Sequence, residues 1–113
     1  MNKLEGRMLI MLQNVKLNNT PKEYTVAGLS LGPARCRILS SLMCDNTSLT
    51  ALHLARKGIN DPEGIELARM LHDNKTLRKL ELEGNLLGPN TARAFGEALK
   101  VNKTLRMLDL ESN

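Results

Sequence analysis

Hydrophobic positions recur along this chain with a period of 28 residues. The spacing is clearest in the trio Leu49, Leu77 and Leu105. Two more trios keep the same spacing: Leu52, Leu80 and Leu108, and Leu54, Leu82 and Leu110. A fixed period of this length predicts a stack of similar units, each of which completes its hydrophobic core against its neighbours.

Inside each unit the hydrophobic spacing changes from two residues to three and four. Leu80 and Leu82 alternate with charged residues, which predicts a short strand with one buried side. Ala92, Phe95 and Leu99 are three and four residues apart, which predicts a helix with one buried face. Each unit is therefore predicted to be a strand followed by a helix.

Small residues, prolines and asparagines recur at fixed places around the predicted helices. One position on each helix is small, which would let the helix lie close to the strands: Ser40, Ala68 and Gly96. A proline stands just before each helix or in its first turn, where a missing N–H costs little: Pro33, Pro62 and Pro89. Asn74 and Asn102 follow their helices, and we expect them to end the helices in the left-handed conformation that asparagine tolerates.

The whole chain, 1–113, is predicted to be one domain of the α/β class. Its parts are a helical half-repeat or cap (1–20), three full units (21–48, 49–76 and 77–104) and a final strand (105–113). Strands that alternate with helices through short connections are parallel. Stacked one per unit, they form the concave face of a right-handed solenoid, and the helices form its convex face.

The N-terminal segment is more apolar than a capping helix should be. Met8, Met11 and Val15 fit the buried positions of a repeat helix. Further apolar residues lie outside those positions: Leu4, Leu9, Ile10 and Leu17. Two interpretations follow. Either the segment is a tilted cap that buries both faces, or it is an interface in which methionine supplies adaptable contact.

The spacing L-x-x-L-x-L followed by Asn, in residues 77–85 and 105–113, is the leucine-rich-repeat signature. The unit L-R-K-L-E-L-E-G-N-L-L-G-P-N-T-A-R-A-F-G-E-A-L-K-V-N-K-T, residues 77–104, resembles the ribonuclease-inhibitor class of these repeats. Residues 60–77, N-D-P-E-G-I-E-L-A-R-M-L-H-D-N-K-T-L, resemble the tropomodulin and leiomodin family, in which such repeats form a C-terminal actin-binding domain. NOD-like receptors and the GTPase-activating protein of Ran share the general repeat.

The resemblance also implies a role for the asparagine after each strand, which bonds to the backbone of neighbouring repeats. Asn85 and Asn113 keep this residue, whereas Leu29 and Lys57 replace it in the earlier units. Because buried backbone groups must be paired, we expect water or main chain to serve those two turns.

Composition narrows the possible functions. Hydrophobic residues are 42% of the chain but aromatic residues only 2%, so the core is aliphatic and offers no stacking platform for nucleic acid. The net charge of +4 is carried by basic residues mixed with acidic ones, without a nucleic-acid-binding motif, so nucleic acid is a disfavoured partner. The apolar run Met8 to Leu12 is too short to span a bilayer and lacks a signal-peptide cleavage site. We therefore expect a cytoplasmic protein with no membrane partner.

Alternation along the strands predicts which side chains face the concave side. They are Glu23, Thr25, Ala27, Ala51, His53, Ala55, Lys79, Glu81, Glu83, Met107, Asp109 and Glu111. Just before the later strands, basic residues stack in the same way: Lys75, Arg78, Lys103 and Arg106. This face is either a docking surface for a charged protein partner or a solvated face that aids solubility. The candidate partner-binding residues are His53, Arg78, Lys79, Glu81, Glu83, Arg106, Met107, Asp109 and Glu111.

No catalytic, cofactor-binding or metal site is predicted. Paired carboxylates that act as acid and base need a pocket and contrasting environments, which an open wall does not provide. Cys44 and His72 share one repeat position, but a zinc site needs about four ligands. Cys36 falls on a core position and is predicted to be a small buried hydrophobic residue.

The sequence therefore favours a non-enzymatic protein–protein interaction module, part of a longer repeat array or a short isoform. The alternatives are an actin-associated domain of tropomodulin type and a regulator of a small GTPase. We also expect a homo-oligomer, most simply a dimer, because the first helix and the last strand would expose apolar surface and a strand edge at the ends of the solenoid.

Overall fold

The computed structural model describes residues 3–26 and 31–113, with the side chains of residues 3 and 4 left out. Ala27, Leu29 and the side chain of Leu4, each of which the sequence analysis discussed, lie outside the described part. Within that part helices and strands alternate. They are α1 (Lys3–Lys16), β1 (Glu23–Thr25), α2 (Pro33–Met43), β2 (Ala51–His53), α3 (Asp61–Asp73), β3 (Lys79–Glu81), α4 (Pro89–Val101) and β4 (Met107–Asp109).

The four strands form one parallel sheet in chain order, β1-β2-β3-β4. Each residue of β1, β2 and β3 pairs with the residue 28 positions further on, as Ala51 pairs with Lys79 and Lys79 with Met107. The helices pack against one another in the same order, α1 on α2, α2 on α3 and α3 on α4. The predicted α/β solenoid, with parallel strands along one face and helices along the other, is confirmed.

Rows of leucines between strands and helices form the core. The predicted repeat leucines of the second and third units are fully buried: Leu49, Leu52, Leu54, Leu77, Leu80 and Leu82. Phe95 is buried among them, and the fourth-strand residues Leu105, Leu108 and Leu110 are partly buried against the same cluster. Apart from Phe95, the described core is formed by non-aromatic residues, chiefly leucine, as the composition predicted.

The asparagines that follow the helices do not adopt the predicted left-handed conformation. Asn74 and Asn102 are extended, with φ of −72° and −75°. The amide of Asn74 instead reaches the preceding unit and donates to the carbonyl of Met43 at 2.7 Å. Its oxygen accepts the backbone N–H of Thr76 and Leu77. Buried asparagines therefore tie consecutive units together, a role that requires the side chain and not a special backbone angle.

Two residues of the predicted buried face of α4 are exposed, and so is the small residue that was predicted to lie close to the strands. Ala92, Gly96 and Leu99 are exposed, and Leu99 keeps 37% of its surface. The equivalent residues of α3 are buried because α4 packs against that side of α3: Gly64, Ala68 and Leu71. In the described chain no further helix covers α4 on this side, so its buried residues lie towards α3 and the sheet: Thr91, Phe95 and Ala98.

The turn at Lys57 is served by the asparagine of the next unit. Asn85 accepts the backbone N–H of Lys57 at 2.8 Å and of Ile59 at 3.1 Å. Its amide donates to the carbonyls of Leu54 and Leu82, both at 2.9 Å. The expectation that water or main chain would satisfy this turn is therefore wrong at these two N–H groups.

Helix α1 buries one face only. Met11 and Val15 pack into the core as predicted, whereas Leu9 and Ile10 are exposed, as is Leu17 just after the helix, at 70%. The interpretation of α1 as a cap that buries both faces is therefore wrong, and its role as an interface stays a prediction. None of the helices in the described ranges has the length and apolar character needed to cross a membrane.

Candidate functional site

The open face of the sheet is the candidate site, and we call it the concave wall. Its side chains alternate with buried leucines, so that Lys79 and Glu81 face outward on β3 while Leu80 between them is fully buried. The described residues of the wall are Glu23, Thr25, Ala51, His53, Ala55, Lys79, Glu81, Glu83, Met107, Asp109 and Glu111. The exposure differs along the wall: Ala51 is buried, whereas Met107 is 41% exposed.

His53 joins three strands at the centre of the wall. Its Nδ1 lies 2.5 Å from a carboxylate oxygen of Glu81 on β3, and its Nε2 lies 2.5 Å from Glu23 on β1. Lys79 adds a further ion pair, with Nζ 3.2 Å from the other oxygen of Glu81. With a carboxylate at each ring nitrogen, the doubly protonated imidazolium fits this site, because it alone can donate at both ends.

The two carboxylates beside His53 favour the protonated, positively charged form of its ring. Burial by itself would lower the pKa of His53, but the hydrogen bonds that its ring donates to Glu81 and Glu23 outweigh burial and raise the pKa above its ordinary value of 6.5. The hydrogen bond from His53 is also the main reason why the pKa of Glu81 is lowered. The sequence placed all three residues on the wall but missed the bridge, although His53 and Glu81 occupy the same position of consecutive units.

Acidic residues crowd together at the far end of β3 and β4. Burial and the adjacent Asp109 carboxylate raise the pKa of Glu83. The pKa of Asp109 is lowered, first by the backbone N–H of Glu111, which donates to it at 2.9 Å. The nearby Arg56 offsets part of the repulsion on Glu83. Arg56 was not predicted, since the strand pattern stops one residue before it.

A basic edge borders the opposite end of the wall. Lys75, Arg78, Lys103 and Arg106 are all exposed on the turns that lead into β3 and β4. The carbonyl of Arg78 accepts the N–H of Arg106 at 2.8 Å, so the two arginines occupy adjacent turns. The structure therefore brings the predicted basic and acidic candidates together on one surface, with Lys79, Glu81 and the His53 bridge between them.

The sulfur and imidazole groups outside the wall do not form a second site. Cys36 is buried as predicted, and burial is the main reason why its pKa rises to about 11. Cys44 is half-buried, and burial together with Asp73 raises its pKa, which makes it a weaker nucleophile. Within the residues that the structure describes, no group of three or more histidine, cysteine or acidic side chains could hold a metal ion.

Comparisons with known proteins connect this fold to two solved domains. No family model and no curated protein matches the chain. The structure titled leiomodin-1 actin-binding site 2 is similar, with a TM-score of 0.85 and 26% identity over 90% of this chain. The tropomodulin C-terminal domain of Caenorhabditis elegans is also similar, with a TM-score of 0.78 and 19% identity over 96% of this chain. The chain has the fold of these domains.

The likeness covers most of this chain but only part of its neighbours. The chain spans 60% of the leiomodin structure and 64% of the tropomodulin structure. The predicted resemblance to the tropomodulin and leiomodin family is therefore supported at the level of the fold. The narrower assignment to the ribonuclease-inhibitor class stays a prediction.

Proposed function

We propose that this chain is a non-enzymatic protein-interaction module whose partner is actin, and that the concave wall is its binding surface. One observation carries the proposal: the chain superimposes over 90% of its length on a solved structure titled as an actin-binding site, at a TM-score of 0.85. The 26% sequence identity to that structure supports actin as the proposed partner. Substitutions of the wall residues can test the proposal.

The physical properties of the wall suit a protein partner. It is an open surface on four paired parallel strands, and the charged side chains at its centre are half-buried: His53, Lys79, Glu81, Glu83 and Asp109. Charges of both signs are arranged in order along the strands, which favours one orientation of a partner over its reverse. The residues that we propose to contact the partner are His53, Arg78, Lys79, Glu81, Glu83, Arg106, Met107, Asp109 and Glu111.

Actin co-sedimentation tests the partner, and charge reversal tests the surface. The wall variant replaces Glu83, Asp109 and Glu111 by Lys and spares Glu81, which the His53 bridge needs. The matched control replaces three acidic residues of the convex face by Lys: Glu66, Asp73 and Glu97. We expect the unmodified chain and the convex variant to sediment with actin filaments, and the wall variant to remain in the supernatant.

The possible outcomes separate the partner from the surface. If the unmodified chain binds neither actin filaments nor monomeric actin, the actin proposal is wrong, and recovery of a small GTPase from cell extract would favour the other alternative. If the convex variant loses binding while the wall variant retains it, the partner is right and the surface is wrong. Circular dichroism of each variant shows that the fold is intact.

Self-association through the ends of the solenoid belongs to the same proposal. Leu99, Leu105, Leu108 and Leu110 present partly exposed apolar surface beside the open edge of β4. Leu9 and Ile10 on α1, and Leu17 just after that helix, also expose apolar surface. An open strand edge beside apolar side chains can pair with another chain, and a two-fold dimer through like ends is the simplest product. Sedimentation equilibrium of this 113-residue chain at micromolar concentration tests it, and a monomer at all concentrations would contradict it.

A further inference from the structure

Two consecutive turns of the solenoid carry the same five residues, Asn-Lys-Thr-Leu-Arg, at 74–78 and 102–106. The equivalent segment of the preceding unit, 46–50, is Asn-Thr-Ser-Leu-Thr and has no charge. The duplication therefore adds charge without changing the asparagine and leucine that the repeat needs for folding. It places four cations on adjacent turns, and we call them the basic edge: Lys75, Arg78, Lys103 and Arg106.

The two charged turns have the same geometry because the same hydrogen bonds hold them. In the first, the side-chain oxygen of Asn74 accepts the N–H of Thr76 at 2.9 Å and of Leu77 at 2.7 Å. In the second, Asn102 accepts the equivalent N–H groups at 2.9 and 2.8 Å. The backbone that carries all four cations is therefore ordered before a partner binds, which lowers the entropy cost of binding.

The cations of the basic edge are uncompensated. All four side chains are exposed, and none takes part in an ion pair among residues 3–26 and 31–113. Some exposed cations of the convex face are paired, as Arg69 is with Glu66 at 2.8 Å and Lys100 with Glu97 at 3.0 Å. Others are not paired within the described residues, but the basic edge places four such cations on two adjacent turns. Four like charges on neighbouring turns repel one another until an anionic partner neutralises them.

We propose that the basic edge binds an acidic polypeptide segment. The inference rests on the proposed function as a protein-interaction module, and it names the chemistry that one part of the partner must present. Anions could also come from nucleic acid or from a membrane, but the surroundings of the edge disfavour both. Glu81 ends β3 and lies three residues beyond Arg78, a distance of about 10 Å along an extended chain, and Glu83 and Asp109 follow it on the wall.

An extended polyanion would overlap those acidic residues. A DNA duplex or an anionic bilayer is wider than the edge and would place phosphate groups against the acidic end of the wall. Single-stranded nucleic acid needs aromatic surfaces on which its bases can stack. Phe95 is buried and Tyr24 is half-buried, and the chain has no other aromatic residue apart from its histidines. A short acidic segment of a protein covers the four cations and stops before the acidic residues begin.

Binding of a short fluorescein-labelled polyglutamate peptide, followed by fluorescence anisotropy at low ionic strength, tests the proposal. The edge variant replaces Lys75, Arg78, Lys103 and Arg106 by Gln. Its matched control removes four convex cations in the same way: Arg35, Arg69, Arg93 and Lys100. We expect the edge variant to bind about tenfold more weakly, since each exposed charge pair contributes roughly a factor of two, and the convex variant to change about twofold or less. Equal losses in the two variants would show attraction by net charge alone and overturn the proposal.

A gain of function provides a test that does not depend on removing residues. Thr47 and Thr50 occupy the uncharged turn beside the edge, Thr47 exposed and Thr50 half-buried. The double variant Thr47→Lys with Thr50→Arg extends the edge to a third turn, and we expect polyglutamate to bind it about fourfold more tightly. Weaker or unchanged binding would contradict the proposal.

Two parallel measurements decide the class of partner and separate this inference from the actin proposal. If the edge supports tighter binding of duplex DNA or of phosphatidylserine vesicles than of polyglutamate, the assignment to an acidic polypeptide is wrong. A chain that binds actin but shows no edge-dependent binding of polyglutamate keeps the proposed function and loses this inference. A chain that binds polyglutamate through the edge but not actin keeps the inference and loses actin as its partner.

Discussion

The same repeat positions have different surroundings in α3 and in α4. Leu71 on α3 is fully buried, whereas its equivalent on α4, Leu99, is 37% exposed. The difference does not come from the residue type, which is leucine in both helices. It arises because α3 has a neighbouring helix on each side, whereas among the helices of the described chain α4 contacts only α3. In a repeat structure, a position becomes part of the core only when the next unit covers it.

The largest expected effect of this difference concerns the leucines of β3 and β4. Leu80 is fully buried and pairs with the half-buried Leu108. We expect Leu80→Ala to lower the free energy of unfolding by about 3–4 kcal/mol, since it leaves a cavity between two sheet neighbours. Leu108→Ala should cost about 1–2 kcal/mol, because less apolar surface returns to water. Urea denaturation measures both values, and equal losses would show that the neighbouring unit does not determine the burial energy.

The turn asparagines provide a second matched pair. Asn85 is buried and serves four backbone groups of two units, whereas Asn113 is exposed. Asn85→Ala leaves buried N–H and C=O groups without partners, and we expect a loss of about 2–3 kcal/mol. Asn113→Ala should cost about 1 kcal/mol, because the carbonyl of Leu82 keeps Asn85 as a partner and the carbonyls of Leu110 and Glu111 lie on residues that water reaches. Faster hydrogen exchange at Lys57 and Ile59 in the Asn85 variant would confirm the cause. Unchanged exchange there would rule it out.

Two helical glycines should respond in opposite directions. A Cβ at Gly64 would lie 2.6 Å from Leu87 Cδ2 and from Thr91 Oγ1, and Thr91 is held by its hydrogen bond to Asp61. Gly64→Ala should therefore destabilise the fold by about 1–3 kcal/mol. A Cβ at Gly96 meets nothing within 4 Å. Gly96→Ala should stabilise the fold by up to about 1 kcal/mol, since alanine favours the helix. Thermal unfolding that shifts in the same direction for both variants would contradict the comparison.

These pairs show which parts of the fold the sequence could predict. The 28-residue period was sufficient for the order of elements, the parallel sheet and the buried leucine rows, since these depend on spacing alone. It was not sufficient for Ala92, Gly96 and Leu99, because their burial depends on a further helix that is absent from the described chain. A prediction from the period alone assumes that every unit has a neighbouring unit on each side.

The sequence pattern also could not predict the backbone conformation of the turns or their hydrogen bonds. Asparagine recurs at the position of Asn74, which indicates that the fold needs asparagine there. The recurrence does not indicate the reason, because a left-handed backbone and a side chain bonded to the preceding unit would both favour asparagine. The outward-facing residues of the concave wall could be predicted one by one, because strand alternation fixes which side chains face outward, whereas their role in binding stays a prediction. The bridge formed by His53 was missed, since a hydrogen bond between units depends on rotamers and not on position alone.

The smallest expected effect contrasts the two histidines of the chain, His53 in its bridge and the exposed His72. The raised pKa of His53 means that the folded chain holds this proton more tightly than the unfolded chain does. Its contribution to stability is therefore complete below the ordinary pKa of 6.5 and is lost as the pH rises through the raised value. The loss should be about 1 kcal/mol or less, because Glu23 is 64% exposed and water screens its half of the bridge.

Urea denaturation at a series of pH values above and below this range measures the effect. The unmodified chain should become less stable as the pH rises, and His53→Gln should remove that part of the decline. His72→Gln should leave the decline in place, because the structure gives this side chain no carboxylate partner among the described residues. If His72→Gln removes the decline and His53→Gln does not, the bridge does not hold its proton. The wall would then carry Glu23 and Glu81 as two separate carboxylates available to a partner.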